Sequence, residues 1–596
     1  MNTILLKVKA KAYTYSICLL LFSTIACKRD AEKNKIGYNE ETIETLFLSD
    51  INQCIKSLDS INNQGNVKLD YYKKARKHFK HLEPVLAFID QNNYKSLNAP
   101  NILQVHEEDP TDIKIRNPFG FQVIEEMLHE QPIDSLRLAE TVKITSSRLK
   151  LIEKNTSINL KDYHIIWLLR NQIVRIATTG ITGFDSPVLS QSLDESIFCY
   201  ETLEKIVELN SDKFKCKALY NNLVNAFDKA KTALQNDFDS FDRYAFIQNH
   251  IHPQLELLVD TQNDWNIVFP FNLALSNTLS SLFSKDALNV DFFSDYKSDT
   301  TLLTKKIQFG KTLFNDNNLS KSKNMSCASC HIQDKAFSDG RVTFDSRQKR
   351  NSPTLTYAAY QQLYFMDARM GSLEGQIIGV INNHDEFNMS TDSIVARVKS
   401  TPSYKVALDS LYRNQRDEFN IRHAIASYVR TLSPFNSKFD KNINKTENSL
   451  TKVEKRGFNL FMGKAACATC HFPPLFNGTV PPNFTDTELE IIGVPNTSKN
   501  ITLDDDFGRY HVLKTIERKG AFKTPTIRNI EKTAPYMHNG VYQTLEQVMD
   551  FYNRGGGAGL GFDIPLQTLP FDNLELSDDE QKAIIAFMKT LTDNSY

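Results

Sequence analysis

The chain has 596 residues, of which 41% are hydrophobic and 24% are charged, and its formal net charge is −1. This balance provides no basic surface of the kind that nucleic-acid-binding proteins need, so we expect no nucleic-acid partner. A chain of this length forms several domains, and after the N-terminal segment no stretch is long and apolar enough to span a bilayer.

The N-terminal residues have the pattern of an export signal. A basic start with three lysines precedes an apolar run over 17–22. That run is too short for a membrane span, which indicates a secretory signal peptide over residues 1–26. Small residues directly before Cys27 resemble a bacterial lipobox, in which this Cys is acylated, although Thr24 stands where Leu is usual. We expect a lipid anchor on Cys27 and a polar tether over 28–40, with an ordinary signal peptide as the alternative.

Residues 41–290 carry the pattern of helices. Apolar residues recur every three or four positions, and Gly and Pro are sparse and cluster at joints. The sequence therefore predicts an all-α, bundle-like N-terminal domain. Residues 120–125 faintly resemble the G-x-H-x-x-E segment of imelysin-like helical bundles, but Gln122 stands where that motif has His. We assign this domain no activity.

Two pentapeptides carry the strongest chemical signal. They are Cys327-Ala-Ser-Cys330-His331 and Cys467-Ala-Thr-Cys470-His471. The pattern C-x-x-C-H is the attachment signature of c-type haem, because two thiols add to the vinyl groups of one porphyrin and the next imidazole lies under the iron. A redox dithiol needs no such His, and a zinc site needs a second pair of ligands nearby. The sequence therefore predicts two covalent haem c groups.

Each motif lies in a segment with the size of a c-type cytochrome domain. Gly, Pro and Asn are denser there, because long loops must pass close to porphyrin faces. We place the first haem domain at 291–448 and the second at 449–596. The predicted fold class is mainly α, with an N-terminal helical bundle domain followed by two cytochrome c-like haem domains.

Further segments accompany the motifs in a fixed order. They are FGKTLF at 309–314, AFSDGR at 336–341, RNSPTL at 350–355, RGFNLF at 456–461, KTPTIRN at 523–529 and TAPYMHNG at 533–540. With these segments the chain resembles the bacterial di-haem cytochrome c peroxidases and their methylamine-utilisation (MauG-like) relatives. The resemblance covers about residues 300–596, essentially the whole C-terminal half.

The resemblance implies a division of labour between the haems. The first, on His331, is peroxidatic, and the second, on His471, receives electrons and passes them on. Gln376 and Glu386 fall where the family keeps a distal Gln and a catalytic Glu. A carboxylate over the iron can take a proton from the near oxygen of peroxide and return it to the far oxygen, so that water leaves. Without the family register, a solvated acidic turn at 385–386 would be the plainer interpretation.

The chain departs from the family pattern in two places. Many family peroxidases carry a His after the AFSDGR segment that blocks the resting iron, whereas residues 342–349 contain none. We therefore expect an open peroxidatic iron. Met366 stands where the family usually has a Trp that is thought to relay charge between the haems, and a thioether is a poorer relay than indole. Tyr357, Tyr360 and Tyr364 either replace it or are core aromatics.

The far-side ligand of the second iron governs its potential. Tyr552 stands where peroxidases place an axial Met and where the MauG-like relatives have a Tyr. We predict Tyr552 as this ligand, with Met549 and Met537 as alternatives and a core Tyr as the plainer interpretation. A thioether favours ferrous iron and raises the potential, while a phenolate favours ferric iron.

The resemblance also implies a calcium ion between the two haem units. The Asn351 side chain and the backbone carbonyls of Thr533 and Pro535 would hold it, together with water. Oxygen ligands suit this hard cation. Simple turn residues at these positions are the alternative.

The main hypothesis from the sequence is an exported di-haem peroxidase that reduces hydrogen peroxide to water. Its electrons would come from a small cytochrome or a cupredoxin. A MauG-like oxidase acting on a protein side chain or an organic substrate is the second hypothesis, and a non-enzymatic electron-transfer or haem-binding module is the third. We expect the protein on the periplasmic side of the cell envelope, lipid-anchored to the outer membrane, and a homodimer stays an open expectation.

Overall fold

The computed structural model describes most of the chain, namely residues 41–62, 67–107, 109, 111–294, 301–344, 348–414 and 416–596. The chain divides into two units between Leu46 and Phe47, and the second unit, Phe47–Tyr596, is compact. The expected signal peptide (1–26), the acylated Cys27 and the tether (28–40) lie outside the described residues. All contacts given below lie within the second unit.

The N-terminal part of the described chain is helical, as the apolar spacing predicts. Its helices are α1 (Ile43–Ile61), α2 (Lys68–Ile89), α3 (Gln91–Leu97), α4 (Phe121–His129), α5 (Ser135–Asn155), α6 (Asp162–Arg175), α7 (Ser192–Glu208), α8 (Lys217–Leu234), α9 (Arg243–Phe246) and α10 (His252–Asp264). A small antiparallel hairpin, β1 (Gln104–His106) with β2 (Lys114–Arg116), interrupts them and was not predicted. In α2 the buried residues recur every three or four positions, at Tyr72, Ala75, Phe79, Leu82 and Leu86.

A cluster of paired charges lies inside this helical part. Lys80 Nζ is 2.7 Å from a carboxylate oxygen of Glu83 and 2.7 Å from one of Asp185. Arg76 donates two hydrogen bonds to the carboxylate of Glu195. Every charge in the cluster is buried and has an opposite partner, so removing one member would leave its partner buried and uncompensated.

The C-terminal part combines short helices with long loops. Its helices are α11 (Leu303–Phe314), α12 (Cys327–Cys330), α13 (Leu373–Asn382), α14 (Thr391–Ser400), α15 (Pro402–Leu411), α16 (Asp417–Val429), α17 (Lys438–Ile443), α18 (Lys452–Met462), α19 (Tyr510–Leu513), α20 (Leu545–Asn553), α21 (Gly556–Gly559) and α22 (Asp578–Lys589). The strands β3 (Leu489–Ile491) and β4 (Ala521–Lys523) pair antiparallel. Among the described residues, no helix combines the length and the apolar character needed to cross a bilayer.

The same helix crossing occurs once near each haem motif. A Cβ added to Gly310 in α11 would lie 1.8 Å from the carbonyl oxygen of Ala424 in α16. A Cβ added to Gly457 in α18 would lie 1.9 Å from the carbonyl oxygen of Ala583 in α22. Only glycine allows the two backbones of each pair to approach this closely.

Gly310→Ala should therefore destabilise the fold by about 1–3 kcal/mol or more, because the new methyl group has no room beside Ala424. Chemical denaturation of the haem-loaded protein, followed by far-UV circular dichroism, measures the change. Gly371→Ala is the matched control, since a Cβ at Gly371 meets nothing within 4 Å. Equal stability of both variants would show that the crossing can open without cost.

The N-terminal helices and the second haem region share one apolar core. Phe283, which follows α10, packs on Phe439 of α17 with ring centroids 5.2 Å apart. Phe439 in turn lies 5.0 Å from Phe458 of α18 and 5.4 Å from Phe587 of α22. Residues on both sides of the predicted boundaries at 290 and 448 thus contact each other, and the domain division stays a prediction.

Asp593 and Tyr596, which belong to the second predicted haem domain, contact residues of the first haem region. The Tyr357 hydroxyl donates to Asp593, with oxygen–oxygen distances of 2.9 and 3.0 Å, and the Asn529 side chain donates to the same carboxylate. The Tyr596 ring lies edge-on to Phe337, with centroids 5.7 Å apart. The two haem regions are therefore interlocked rather than joined only through a linker.

Candidate active site

A cavity of about 1980 Å³ contains both haem motifs. Cys330 and His331 line it in the first region, and Cys467, Cys470 and His471 line it in the second. The volume exceeds the ~300–1,000 Å³ of a pocket for one small ligand. The structure thus brings the two predicted haem sites to one continuous space.

The imidazole of the first motif is held by a backbone carbonyl. His331 Nδ1 lies 2.9 Å from the carbonyl oxygen of Phe337. Burial lowers the pKa of His331, so the ring is neutral and its proton occupies Nδ1 as the donor. This tautomer presents Nε2 as the electron-pair donor that an iron requires. Phe337 has φ of 58°, and this left-handed turn points its carbonyl back at the ring.

The second motif repeats this arrangement. His471 Nδ1 lies 3.2 Å from the carbonyl oxygen of Phe476, whose φ is 51°. Burial lowers the pKa of His471 to about 4, so this ring is also neutral. Two separate parts of the chain therefore orient a proximal imidazole by the same loop geometry.

The motif cysteines are suited to covalent attachment of haem. None of the four is paired in a disulfide. Burial raises the pKa of Cys327 and of Cys467 to about 12, so both are neutral thiols in an apolar setting. Each motif thus supplies two thiols for two vinyl groups and one oriented imidazole, and the residues present fit two c-type haems.

The predicted catalytic pair lies on the wall of the cavity that the first motif lines. Gln376 in α13 and Glu386 after it both line the cavity that contains His331. Glu386 accepts a hydrogen bond of 2.7 Å from the Asn383 side chain. Burial raises the pKa of Glu386, opposed by this hydrogen bond and by the nearby positive charge of Arg369. The sequence reasoning missed Asn383 and Arg369, although Asn383 stands three residues before the glutamate it holds.

Tyr552 lies beside the second motif. It lines the cavity together with Met549 and Met537, the two alternatives from the sequence. Burial raises the pKa of Tyr552. Cys467 and Cys470 line the same cavity. The structure brings all three candidates to the cavity, and the choice of Tyr552 stays a prediction.

The residues of the expected calcium site share one wall of the cavity. Asn351, Thr533 and Pro535 all line it. The Asn351 backbone N–H donates to the carbonyl of His538 at 2.7 Å, which fixes this loop beside the 533–540 segment. The three residues therefore line the same cavity, and the calcium ion stays a prediction.

The N-terminal helices supply part of the cavity wall. Phe184 lines the cavity, and its ring lies 6.5 Å from that of Phe472, the residue after His471. Gln122 also lines it and donates to the carbonyl of Asn98 at 2.8 Å. No motif in the sequence reveals the contact between Phe184 and Phe472, because a core phenylalanine has the same local pattern.

In the segment that faintly resembles imelysin-like proteins, the Glu125 carboxylate accepts several hydrogen bonds. Glu125 is buried and accepts a hydrogen bond of 2.8 Å from the Tyr72 hydroxyl. It also accepts from the backbone N–H groups of Val188 and Leu189, at 3.0 and 2.9 Å. This glutamate therefore holds the loop at Val188 and Leu189 against α4.

The known proteins that this chain resembles match about half of it. The family described as di-haem cytochrome c peroxidase matches residues 304–448. Cytochrome-c peroxidase IdrP2 of Denitromonas iodatirespirans is 32% identical over 306 residues, which make up 48% of this chain and 81% of the relative. Methylamine utilization protein MauG of Methylorubrum extorquens is 34% identical over 300 residues, or 49% of this chain and 79% of the relative. The chain belongs to the di-haem cytochrome c peroxidase family, which confirms the resemblance drawn from its motifs.

Proposed function

We propose that this protein reduces hydrogen peroxide to water with electrons from a small cytochrome or a cupredoxin. The observation that carries the proposal is the position of Glu386 and Gln376 on the wall of the cavity that contains His331. A partly buried carboxylate in the same cavity as a proximal histidine can act as a proton-transfer group. Membership of the family supports an oxidoreductase, and peroxide as the acceptor is the finer proposal.

The side chains of this protein position peroxide and move its proton. His331 and His471 would each hold a haem, and each haem would supply an iron that exchanges single electrons. The Glu386 carboxylate takes the proton from the near oxygen and delivers it to the far oxygen, which leaves as water. Asn383 holds that carboxylate in place by its 2.7 Å hydrogen bond. Two protons and two electrons are consumed for each peroxide, and two waters form.

The test is steady-state oxidation of a reduced small cytochrome c by the protein with both haems attached. We expect oxidation that depends on both peroxide and protein. A protein that leaves the cytochrome reduced in the presence of peroxide, while both haems are demonstrably attached, would contradict the proposal and favour a non-enzymatic electron-transfer module.

A MauG-like oxidase is the second candidate. Tyr552, which lines the cavity with the second motif, favours it, since a phenolate bound to the iron would stabilise the ferric state. The segment over 342–349, which contains no histidine to block the first iron, favours it as well. Such an enzyme would direct the oxidising equivalents of peroxide to a protein side chain or an organic substrate.

Tyr552→Met should raise the reduction potential of the second haem, because a thioether replaces a phenolate as the far-side ligand. Spectroelectrochemical titration measures this shift. Met549→Leu is the matched control and should leave the potential in place. An unchanged potential in Tyr552→Met, together with a shift in Met549→Leu, would assign the ligand to Met549 instead.

Addition of peroxide to the all-ferric protein separates the two candidates. An immediate change in the optical spectrum supports the MauG-like state. A spectrum that changes only after one-electron reduction would place the protein with the reductively activated peroxidases.

The cellular setting completes the proposal. Attachment of haem c occurs outside the cytoplasm, so we propose export by the 1–26 signal peptide and anchoring through lipid on Cys27. We also propose that a calcium ion at Asn351, Thr533 and Pro535 holds the two haem regions together.

A further inference from the structure

Two histidines and one aspartate converge between α1 and α2, outside the haem cavity. His78 Nδ1 lies 2.8 Å from Asp50 Oδ1, and His81 Nδ1 lies 3.2 Å from the same oxygen. Asp50 belongs to α1, while His78 and His81 stand three positions apart on one face of α2. All three ligand atoms lie within 4.8 Å of one another.

These separations match those of a metal-binding site. Nitrogen and oxygen ligands at the ~2.0–2.1 Å typical of zinc stand about 3.3 Å apart when they are tetrahedral. The two distances to Asp50 Oδ1 differ from that value by about 0.5 Å or less, a change that small side-chain rotations supply. Side-chain rotations alone therefore suffice to bring each histidine Nδ1 to ligand spacing from Asp50 Oδ1.

The hydrogen bonding of His81 calls for a cation. Its Nε2 lies 2.9 Å from a carboxylate oxygen of Glu201 in α7, while its Nδ1 faces Asp50. A neutral imidazole carries a single proton and can donate to only one of the two carboxylates. The other nitrogen then presents a lone pair to a negatively charged oxygen, unless a proton or a metal ion lies between them.

We propose that Asp50, His78 and His81 bind a divalent transition-metal ion, with Zn²⁺ as the best match. Glu201 then accepts the Nε2–H of His81 and orients this ring. Such a carboxylate–histidine–metal arrangement is common in metalloproteins. Two imidazoles select against Mg²⁺ and Ca²⁺, which prefer oxygen ligands.

The site is open on one side. The side chains of His78, Asp50 and His81 retain 27, 24 and 16% exposure. Three protein ligands leave a fourth position for water. The ion therefore exchanges with solvent, and a chelator should remove it while both covalent haems stay attached. The site is independent of the peroxide chemistry.

The test uses the protein with both haems attached, after dialysis against EDTA. Isothermal titration with ZnCl₂ should reveal one equivalent of tight binding. His78→Ala and the nearly isosteric Asp50→Asn should each weaken it by more than ~100-fold, since each removes a ligand. Glu201→Gln should weaken it by ~10–100-fold, as expected for a group that orients a ligand. MgCl₂ and CaCl₂ should not displace zinc from this site.

His384→Ala is the matched control. His384 forms a pair of the same kind, with Nδ1 3.2 Å from Asp385 Oδ1, and its side chain is 82% exposed. Within the described part of the chain it belongs to no such three-residue group. This variant should bind zinc like the wild type. Circular dichroism checks that each variant is folded.

Two results would overturn the proposal. One is a wild-type protein that binds no stoichiometric zinc. In that case His81 carries a second proton and donates to both Asp50 and Glu201. The other is equal zinc affinity in the wild type, His78→Ala and Asp50→Asn, which would place the bound zinc elsewhere.

Discussion

Glu386→Gln should lower kcat/KM for peroxide by about two to four orders of magnitude while both haems remain attached. This is the usual contribution of a positioned proton-transfer group, and an amide cannot accept the proton. The change is nearly isosteric, so the 2.7 Å contact with Asn383 can persist as a hydrogen bond to the amide oxygen. Oxidation of reduced cytochrome c as a function of peroxide concentration measures the effect.

The pH profile gives a second readout of the same residue. Glu386 acts first as a base, so it must be ionised, and burial raises its pKa above the ordinary value. Activity should therefore fall as the pH drops through this raised pKa, and the fall should be absent from the residual activity of Glu386→Gln.

Asp385→Asn is the matched control for Glu386→Gln. The Asp385 side chain is 40% exposed, and the substitution removes one negative charge at the neighbouring position. We expect activity close to that of the wild type. A similar loss in both variants would assign the effect to local charge rather than to proton transfer, and near-normal turnover in Glu386→Gln would make that residue a surface acid.

Replacing Cys467 and Cys470 together by Ala should remove one covalent haem and abolish cytochrome-supported turnover. The first motif keeps Cys327 and Cys330, so one haem remains attached. Without the second haem, electrons from a donor have no second iron through which to reach the first site. Intact-mass spectrometry of the matured protein and cytochrome oxidation measure the two effects.

Cys216→Ala is the control for that double variant, because this thiol is exposed and lies outside both motifs. It should retain two haems and full turnover. A double Cys467→Ala/Cys470→Ala protein that still carries two haems, or a wild type that carries only one, would contradict attachment at the second motif.

The sequence predicted the mainly helical fold and the family, because both depend on local patterns. The spacing of buried residues in α2 repeats every three or four positions, and each C-x-x-C-H motif is contiguous. The close crossings at Gly310 and Gly457 were not foreseen, although both glycines lie in segments that carry the resemblance. Their role depends on Ala424 and Ala583, which lie far away in the sequence.

Other parts of the site could not be predicted for the same physical reason. The contact of Phe184 with Phe472 involves aromatic residues that any core contains. The carbonyl that orients His331 depends on the left-handed conformation of Phe337, which no residue preference favours. Asp50 lies 28 positions before His78, so no contiguous motif indicates that they meet.

The link between Tyr357 and Asp593 makes the packing of the first haem region depend on residues 593–596. Tyr357 and Asp593 are 236 positions apart, and three residues after Asp593 comes Tyr596, whose ring packs on Phe337. Until these residues have folded onto it, the first haem region lacks part of its packing around the loop that orients His331. The environment of the first haem is therefore completed by a segment that follows the second motif in the sequence.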